Sequence, residues 1–222
     1  MVIPSGMPTF LDGPSGPLEM LYRPPEGGRA SHAPAAAVVC HPHPAHGGTM
    51  HNKVVYHAAR GLLDAGLHVL RFNYRGVGLS AGAYDEGRGE KDDIRAAIDW
   101  LAEQHPGAPL LLAGFSFGAR FGVEVGLQHP SVTRLVAIGL AVKLLGGETL
   151  VGGGKPALFL HGDQDEFGTH DDVLALAARW AAPAEVRIFR GCGHFFDGRL
   201  PDMQVAIRNN LSEPVAAGVH WS

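Results

Sequence analysis

The chain has 222 residues, a length typical of one domain or at most two small ones. Hydrophobic residues make up 45% and charged residues 18%, a balance typical of a globular protein. Its formal net charge of −4 offers no basic excess for binding phosphates, so we expect no nucleic-acid partner. We also expect no membrane span, because no apolar run approaches ~18–20 residues. We expect no signal peptide, because the N-terminal segment Met1–Gly6 has no basic region followed by an apolar core. Two cysteines make no disulfide framework, so we expect a cytoplasmic protein, and its oligomeric state stays open.

The first predicted elements are two short strands between Thr9 and Tyr22, joined by the turn-rich segment Asp12–Pro17. Beyond this pair, short apolar runs typical of buried strands alternate with segments whose apolar residues recur at helical spacing. The predicted strands are Ala36–Cys40, Leu67–Phe72, Pro109–Ala113, Arg134–Leu140, Ala157–His161 and Glu185–Phe189. The predicted helices are Asn52–Asp64, Lys91–Gln104, Ser116–Gln128, Val173–Trp180 and Met203–Leu211. This alternation predicts an α/β fold with a mostly parallel sheet of eight strands and helices on both faces.

The segment Gly114–Gly118 follows a predicted strand, opens a predicted helix and has the pattern G-x-S-x-G around Ser116. A serine that attacks a carbonyl must project from a sharp turn, and glycines let the strand and the helix approach closely. Backbone N–H groups at the start of the helix also favour the negative charge that develops during the attack. The alternative is a glycine-rich turn in which Ser116 only caps the helix.

Two further polar groups follow predicted strands later in the chain. Asp163 and Asp165 come after the strand that ends at His161, and His194 comes after the strand that ends near Phe189. Because the carboxyl ends of parallel strands share one edge of a sheet, we expect the serine, an aspartate and the histidine to meet there. This chain order is typical of α/β-hydrolases, in which the histidine takes the serine proton and the carboxylate orients the imidazole.

Over nearly its full length the chain resembles an α/β-hydrolase, and it is most similar to small bacterial serine hydrolases of the dienelactone-hydrolase-like type. Three further stretches carry the resemblance. His41–Pro44, with Gly47–Met50 behind it, stands where such enzymes have the oxyanion loop. Phe72–Ser80 resembles their R-G-x-G-x-S loop, and Glu90–Leu101 resembles the helix before the nucleophile strand. The resemblance implies one domain over residues 1–222, with little or no lid.

One departure from that family concerns the nucleophile. Dienelactone hydrolases have a cysteine at this position, whereas this chain has Ser116, so the resemblance implies an esterase rather than that particular activity. The acid of the family lies in an H-G-x-x-D pattern, which corresponds to Asp165, and Asp163 is then expected to cap the turn.

The resemblance also points to two donors for an oxyanion hole, which needs N–H groups about 3 Å from the developing oxyanion. Phe117, the residue after the nucleophile, is expected to supply one backbone N–H. By resemblance, the other comes from the backbone of His43, whose neighbours Pro42 and Pro44 have no N–H.

Together these residues predict a serine hydrolase that cleaves carboxylic esters of small molecules through an acyl-enzyme and needs no cofactor. A thioesterase, an acyltransferase or a small-amide hydrolase would use the same residues, and a non-catalytic binding protein of the same fold is a further alternative. The thirteen histidines suggest a metal site. The pattern has no helical histidine pair and no cysteine ligand set, so we expect no metal. The loop histidines His41, His43, His46 and His51 are instead expected to line or border the pocket.

The connection Ala141–Pro156 lies where larger lipases of this fold carry a cover. It contains five glycines: Gly146, Gly147, Gly152, Gly153 and Gly154. Such a connection is too short and too flexible to form a cover of two helices. We therefore expect a serine open to solvent, a shallow cleft and a preference for acyl groups of roughly two to six carbons.

Overall fold

A computed structural model describes residues 9–25, 36–146, 150, 153–211 and 218–221. The strands in these ranges are β1 (Thr9–Gly13), β2 (Gly16–Arg23), β3 (Ala36–Cys40), β4 (His68–Phe72), β5 (Leu110–Phe115), β6 (Val132–Ile138), β7 (Ala157–Gly162), β8 (Ala184–Phe189) and β9 (Gly218–Trp221). The helices are α1 (Lys53–Asp64), α2 (Arg88–Gln104), α3 (Phe117–Gln128), α4 (His170–Ala177) and α5 (Leu200–Asn210), and Pro44–His46 form one turn of 3₁₀ helix. None of the helices described is both long and apolar enough to cross a membrane.

The strands pair into one sheet in the order β1-β2-β4-β3-β5-β6-β7-β8-β9. The pairs β1/β2 and β2/β4 are antiparallel, and every other neighbouring pair is parallel. The predicted α/β-hydrolase fold with a mostly parallel sheet is confirmed, but the predicted count of eight strands is wrong. The additional strand is β9, which lies parallel to β8 at the sheet edge. Its four residues are too few to show a periodic pattern in the sequence.

The two faces of the sheet bury separate hydrophobic cores. In β3, the side chains of Ala36, Val38 and Cys40 belong to one core, and those of Ala37 and Val39 belong to the other. Helices α2, α3 and α4 contribute to the first core, and α1 and α5 contribute to the second. Because both faces are covered, successive residues of a central strand are all buried, which explains the continuous apolar runs in the sequence.

Three helices, α2, α4 and α5, begin three residues earlier than their apolar periodicity predicts, and in α2 and α4 a side chain caps the first turn. In α2, which begins at Arg88, the carboxylate of Glu90 accepts a hydrogen bond from the Gly87 N–H at 2.8 Å. In α4, which begins at His170, the hydroxyl of Thr169 accepts a hydrogen bond from a first-turn N–H at 3.2 Å. These first turns are polar because their unpaired N–H groups need side-chain acceptors, so the apolar stripe starts only after them.

The parallel strands bring four loops to one edge of the sheet. Strands β3, β5, β7 and β8 run in the same direction, so the segments that follow them all leave the sheet at its carboxyl edge. Every site residue predicted from the sequence lies on one of these four segments.

Candidate active site

Ser116 lies at the turn between β5 and α3 in a strained backbone conformation. Its φ of 56° and ψ of −115° lie in a region that residues with a side chain rarely adopt. The Ser116 N–H donates to the Ile138 carbonyl of β6 at 2.9 Å, which fixes the turn against the neighbouring strand. Its side chain makes no capping hydrogen bond to α3. The hydroxyl is therefore not used as a helix cap, unlike in the alternative that the sequence left open.

Both glycines of the G-x-S-x-G pattern are required by close packing. A Cβ on Gly114 would clash with the carbonyl of Gly118 one turn later. A Cβ on Gly118 would lie 2.5 Å from the Cys40 carbonyl oxygen and 2.6 Å from that of His41. Real Cβ atoms do not approach backbone so closely, so these positions let α3 start directly against β5 and the end of β3.

His194 and Asp165 form a buried hydrogen-bonded pair. The Nδ1 of His194 lies 2.7 Å from the Oδ2 of Asp165, and the two side chains are 3% and 0% exposed. The other carboxylate oxygen of Asp165 accepts a hydrogen bond from the Phe167 N–H at 2.9 Å. With Nδ1 facing a carboxylate, the imidazole carries its proton there and leaves the lone pair on Nε2 free.

The pKa of Asp165 is lower than its ordinary value, although its environment acts in both directions. Burial is the largest single influence and raises the pKa, because it disfavours the charged carboxylate. The hydrogen bond and charge of His194, the charge of His161 and the Phe167 N–H together outweigh burial. The carboxylate is therefore ionised at neutral pH and is able to stabilise a protonated His194.

Asp163, the other candidate acid, has a different set of contacts. Its carboxylate accepts a hydrogen bond from the Cys192 N–H at 3.3 Å, and its backbone N–H donates to the Phe189 carbonyl at 3.0 Å. Asp163 therefore joins the loop after β7 to the loop after β8. Its side chain thus bridges two loops and does not cap the turn of its own loop, which differs from the role expected for it.

The imidazole of His194 stands beside the serine turn. Its ring centroid is 4.8 Å from that of Phe115, the residue before Ser116. A Cβ on Gly139, which follows the Ser116 acceptor Ile138, would lie 3.2 Å from the Cε1 of His194. Gly139 also has a positive φ of 55°. The absence of a side chain there leaves the space that the imidazole occupies next to the turn of Ser116.

The two residues expected to supply oxyanion donors lie side by side. Phe117 is the first residue of α3, so its N–H has no partner within the helix. The ring of His43 is 4.9 Å from that of Phe117, and its Nε2 is 3.2 Å from the Tyr84 hydroxyl. The His43 carbonyl accepts hydrogen bonds from two later N–H groups of its own loop, at 3.0 and 3.1 Å, which fix its backbone.

His41 differs from the expectation that the loop histidines border the pocket. It is fully buried, its Nε2 accepts a hydrogen bond from the Tyr74 N–H at 3.1 Å, and its Nδ1 donates to the Pro42 carbonyl at 2.7 Å. Burial lowers the pKa of His41 to about 4, so the ring is neutral. His41 therefore joins the loop after β3 to the loop after β4. Within the part of the chain that the structure describes, no three histidine, cysteine or acidic side chains are grouped to hold a metal ion.

Three residues of the site were not identified from the sequence: His161, Phe167 and Phe195. The buried His161 donates from Nε2 to the Gly168 carbonyl at 2.9 Å, and this nitrogen is also 3.6 Å from the Asp165 carboxylate. The rings of Phe167 and Phe195 lie 4.7 and 5.2 Å from the imidazole of His194. His161 belongs to the H-G-x-x-D pattern, which was the only signal in the sequence for any of them.

The sequence also matches a known protein family. Residues 33–147, just over half of the chain, match the family model Hydrolase_4, described as serine aminopeptidase, S33. The chain belongs to this α/β-hydrolase family. An uncharacterized protein of Rickettsia prowazekii, RP471, is 36% identical over 211 residues, which cover 91% of this chain and 87% of that protein.

Two solved structures extend the relationship of this α/β-hydrolase to the whole fold. An alpha-beta serine hydrolase homologue from Coxiella burnetii is 36% identical, with a TM-score of 0.87 over 95% of this chain and all of the other. XC6422 from Xanthomonas campestris, described as an α/β serine hydrolase without lid, is 34% identical, with a TM-score of 0.86 over 98% and 99% of the two chains. The expected membership of the α/β-hydrolase superfamily is confirmed, and the relatives support a hydrolase of the serine type.

Proposed function

We propose that this α/β-hydrolase cleaves carboxylic esters with short acyl groups through a covalent acyl-enzyme on Ser116. The observation that carries the proposal is the buried 2.7 Å contact between His194 and Asp165, located beside a strained serine turn whose hydroxyl is not used as a cap. A nucleophile, a base and a group that orients the base are the parts that acyl transfer needs.

The proposed reaction uses each of these groups in turn. Nε2 of His194 takes the proton of the Ser116 hydroxyl while its oxygen attacks the ester carbonyl, and Asp165 stabilises the imidazolium. The N–H groups of Phe117 and His43 stabilise the oxyanion. When the intermediate collapses, the bond to the alcohol oxygen breaks and His194 returns the proton to that oxygen. Water then attacks the acyl-enzyme by the same route, releasing the acid and the free serine.

The neighbouring cysteine is a poor candidate for the nucleophile. Cys192 lies in the loop of His194, but burial raises the pKa of its thiol to about 11. A thiol with that pKa is almost entirely protonated at neutral pH, and the thiol is not the reactive form. Its Sγ also donates to the Gly193 carbonyl at 3.4 Å. These features favour Ser116 as the nucleophile.

The short acyl preference is inferred from the connection between β6 and β7. Gly139 forms a bend and residues 142–146 form turns, and Leu144 among them is 63% exposed. Residues 147–149 and 151–152, with Gly147 and Gly152 of the expected glycine-rich connection, lie outside the described residues. Each buried methylene contributes about 0.8 kcal/mol to binding. A site with little cover stops gaining this contribution after a few carbons, and the Xanthomonas relative is described as lacking a lid.

The proposal is tested with a series of esters of one alcohol whose acyl groups run from acetate to decanoate. We expect kcat/KM to be highest for acyl groups of roughly two to six carbons. Ser116→Ala should lower turnover by at least roughly 10³-fold without unfolding the protein. The matched control is Ser131→Ala, since Ser131 precedes β6 at the opposite edge of the sheet.

Two results would count against the proposal. Undiminished turnover in Ser116→Ala would contradict the mechanism in which Ser116 is the nucleophile. A higher kcat/KM for decanoate esters than for butyrate esters would contradict the short-chain preference. In that case a mass measurement in solution would show whether a second subunit covers the site. Thioesters and amides with the same acyl group, run in parallel, show which bond the enzyme prefers.

A further inference from the structure

Two partly exposed phenylalanine rings lie against the imidazole of His194. Phe167 is 43% exposed and Phe195 is 38% exposed, with ring centroids 4.7 and 5.2 Å from that of His194. Phe115 also contacts the imidazole but is fully buried, so it is not available to a ligand. An exposed apolar surface next to a catalytic group favours a ligand that covers this surface and removes it from contact with water.

The backbone on both sides of Phe167 is fixed. Its own N–H donates to Asp165 at 2.9 Å, and the carbonyl of the next residue, Gly168, accepts a hydrogen bond from the buried His161 at 2.9 Å. A Cβ on Gly168 would approach the Cα of Ala141 to 3.0 Å, so this end of the loop packs directly against the segment after β6. Phe167 is thus held by the same carboxylate that orients His194.

Phe195 is fixed through its neighbour in the chain. The His194 N–H donates to the Glu166 carboxylate at 3.2 Å, which joins the two loops that carry the rings. On its outer side, Phe195 is bounded by the ammonium group of Lys53, 5.8 Å from the ring centroid, and Lys53 pairs with Asp197. Loops held in this way lose little freedom when a ligand packs on their rings, and the charged Lys53 stands beside this apolar surface.

The chemistry of the proposed reaction indicates which part of the substrate meets these rings. His194 gives its proton to the alcohol oxygen as the bond between that oxygen and the acyl carbon breaks. At that step the alcohol portion lies against the imidazole, whereas the acyl portion is bonded to Ser116. Of the side chains packed around the imidazole, the partly exposed Phe167 and Phe195 are therefore the ones placed to meet the alcohol portion.

We propose that the substrates are esters whose alcohol portion carries an aromatic ring, which packs on Phe167 and Phe195. This inference rests on the proposed ester hydrolysis and adds the class of alcohol to it. Aromatic pairs with centroids ~4.5–7 Å apart are favourable beyond the area they bury, so a flat ring fits this surface better than an aliphatic group of the same size. The products are then a short carboxylic acid and an aromatic alcohol.

The test compares benzyl acetate with allyl acetate, whose leaving alcohols have similar basicity, so that the ring is the main difference. Wild-type protein should show a kcat/KM about tenfold higher for benzyl acetate. Phe167→Ala and Phe195→Ala should each lower this ratio several-fold, and the double variant should bring it close to one. Phe167→Leu, which keeps an apolar side chain, should give an intermediate ratio. The matched control is Phe10→Ala, because Phe10 is similarly exposed, at 40%, but lies in β1.

The possible outcomes separate this inference from the function on which it rests. Equal efficiency for the two esters in wild-type protein, or a ratio that survives the double substitution, would overturn the inference and leave ester hydrolysis intact. Cyclohexylmethyl acetate cleaved as well as benzyl acetate would also overturn it, because the ring would not need to be aromatic. Cleavage of neither ester would overturn the proposed function and this inference together.

Discussion

Replacing Asp165 by asparagine changes the proton arrangement of the site while leaving its shape nearly unchanged. One carboxylate oxygen accepts the Phe167 N–H at 2.9 Å, and the other faces Nδ1 of His194 at 2.7 Å. In Asp165→Asn the amide oxygen keeps the first contact, because only an oxygen can accept it. The amide NH₂ must then face Nδ1. The imidazole responds by moving its proton to Nε2, the atom that has to accept the serine proton.

The size of the effect follows from this change of tautomer. When the orienting carboxylate of a serine triad is replaced by its amide, turnover falls roughly 10⁴-fold, or about 5 kcal/mol of transition-state stabilisation. The pair in this protein is fully buried, so solvent offers no alternative partner for Nδ1. We therefore expect a loss of the same order, with little change in KM, since Asp165 does not contact the substrate.

The assay is the steady-state hydrolysis of a butyrate ester by wild-type protein, Asp165→Asn and Asp163→Asn, with thermal unfolding of each. Asp163 offers a matched control, because its contact is the acceptance of the Cys192 N–H at 3.3 Å and the amide oxygen of asparagine preserves it. Asp163→Asn should therefore stay within roughly tenfold of wild type.

The reverse ranking of the two variants would refute the reasoning, because it would make Asp163 the orienting acid. A loss of less than tenfold in a folded Asp165→Asn protein would also refute it. In that case the buried contact between His194 and Asp165 would have no part in turnover.

Two other predictions concern pH and metal ions. Burial lowers the pKa of His41 from 6.5 to about 4, so between these pH values the unfolded chain binds a proton that the folded chain does not. The free energy of unfolding should therefore fall by about 3 kcal/mol as the pH drops through this window. In urea titrations, the free energy of unfolding of His41→Gln should depend less steeply on pH than that of wild type. An equal dependence in both proteins would contradict the assignment. Dialysis against a strong chelator should leave ester hydrolysis intact, because His194 activates the water; a loss restored by zinc would contradict this.

Much of the fold could be predicted from the sequence, because a central parallel strand consists of a short, continuous run of apolar residues. The run Ala36–Cys40 has the same bounds in the structure, because both faces of β3 are buried. Strand ends then indicated the site, since ligands of such sheets bind beyond the carboxyl ends of the strands. The edge strand Gly218–Trp221 escaped prediction, because a strand with one neighbour in the sheet needs no long apolar run.

What the sequence could not predict depends on contacts between separate loops. His41 reads as a polar loop residue, and it is buried because the Tyr74 N–H and the Pro42 carbonyl satisfy both of its nitrogens. Phe167 reads as an ordinary apolar residue among acids, and its position against His194 depends on how the loops after β7 and β8 pack together. Neither arrangement leaves a periodic or spaced pattern in the chain.

The central claim is that Ser116 becomes covalently acylated, and its most direct test is labelling with a fluorophosphonate followed by intact-mass measurement and peptide mapping. We expect one label per wild-type chain, located on Ser116, and no label on a folded Ser116→Ala variant. A label on another residue, or undiminished labelling of Ser116→Ala, would contradict the account.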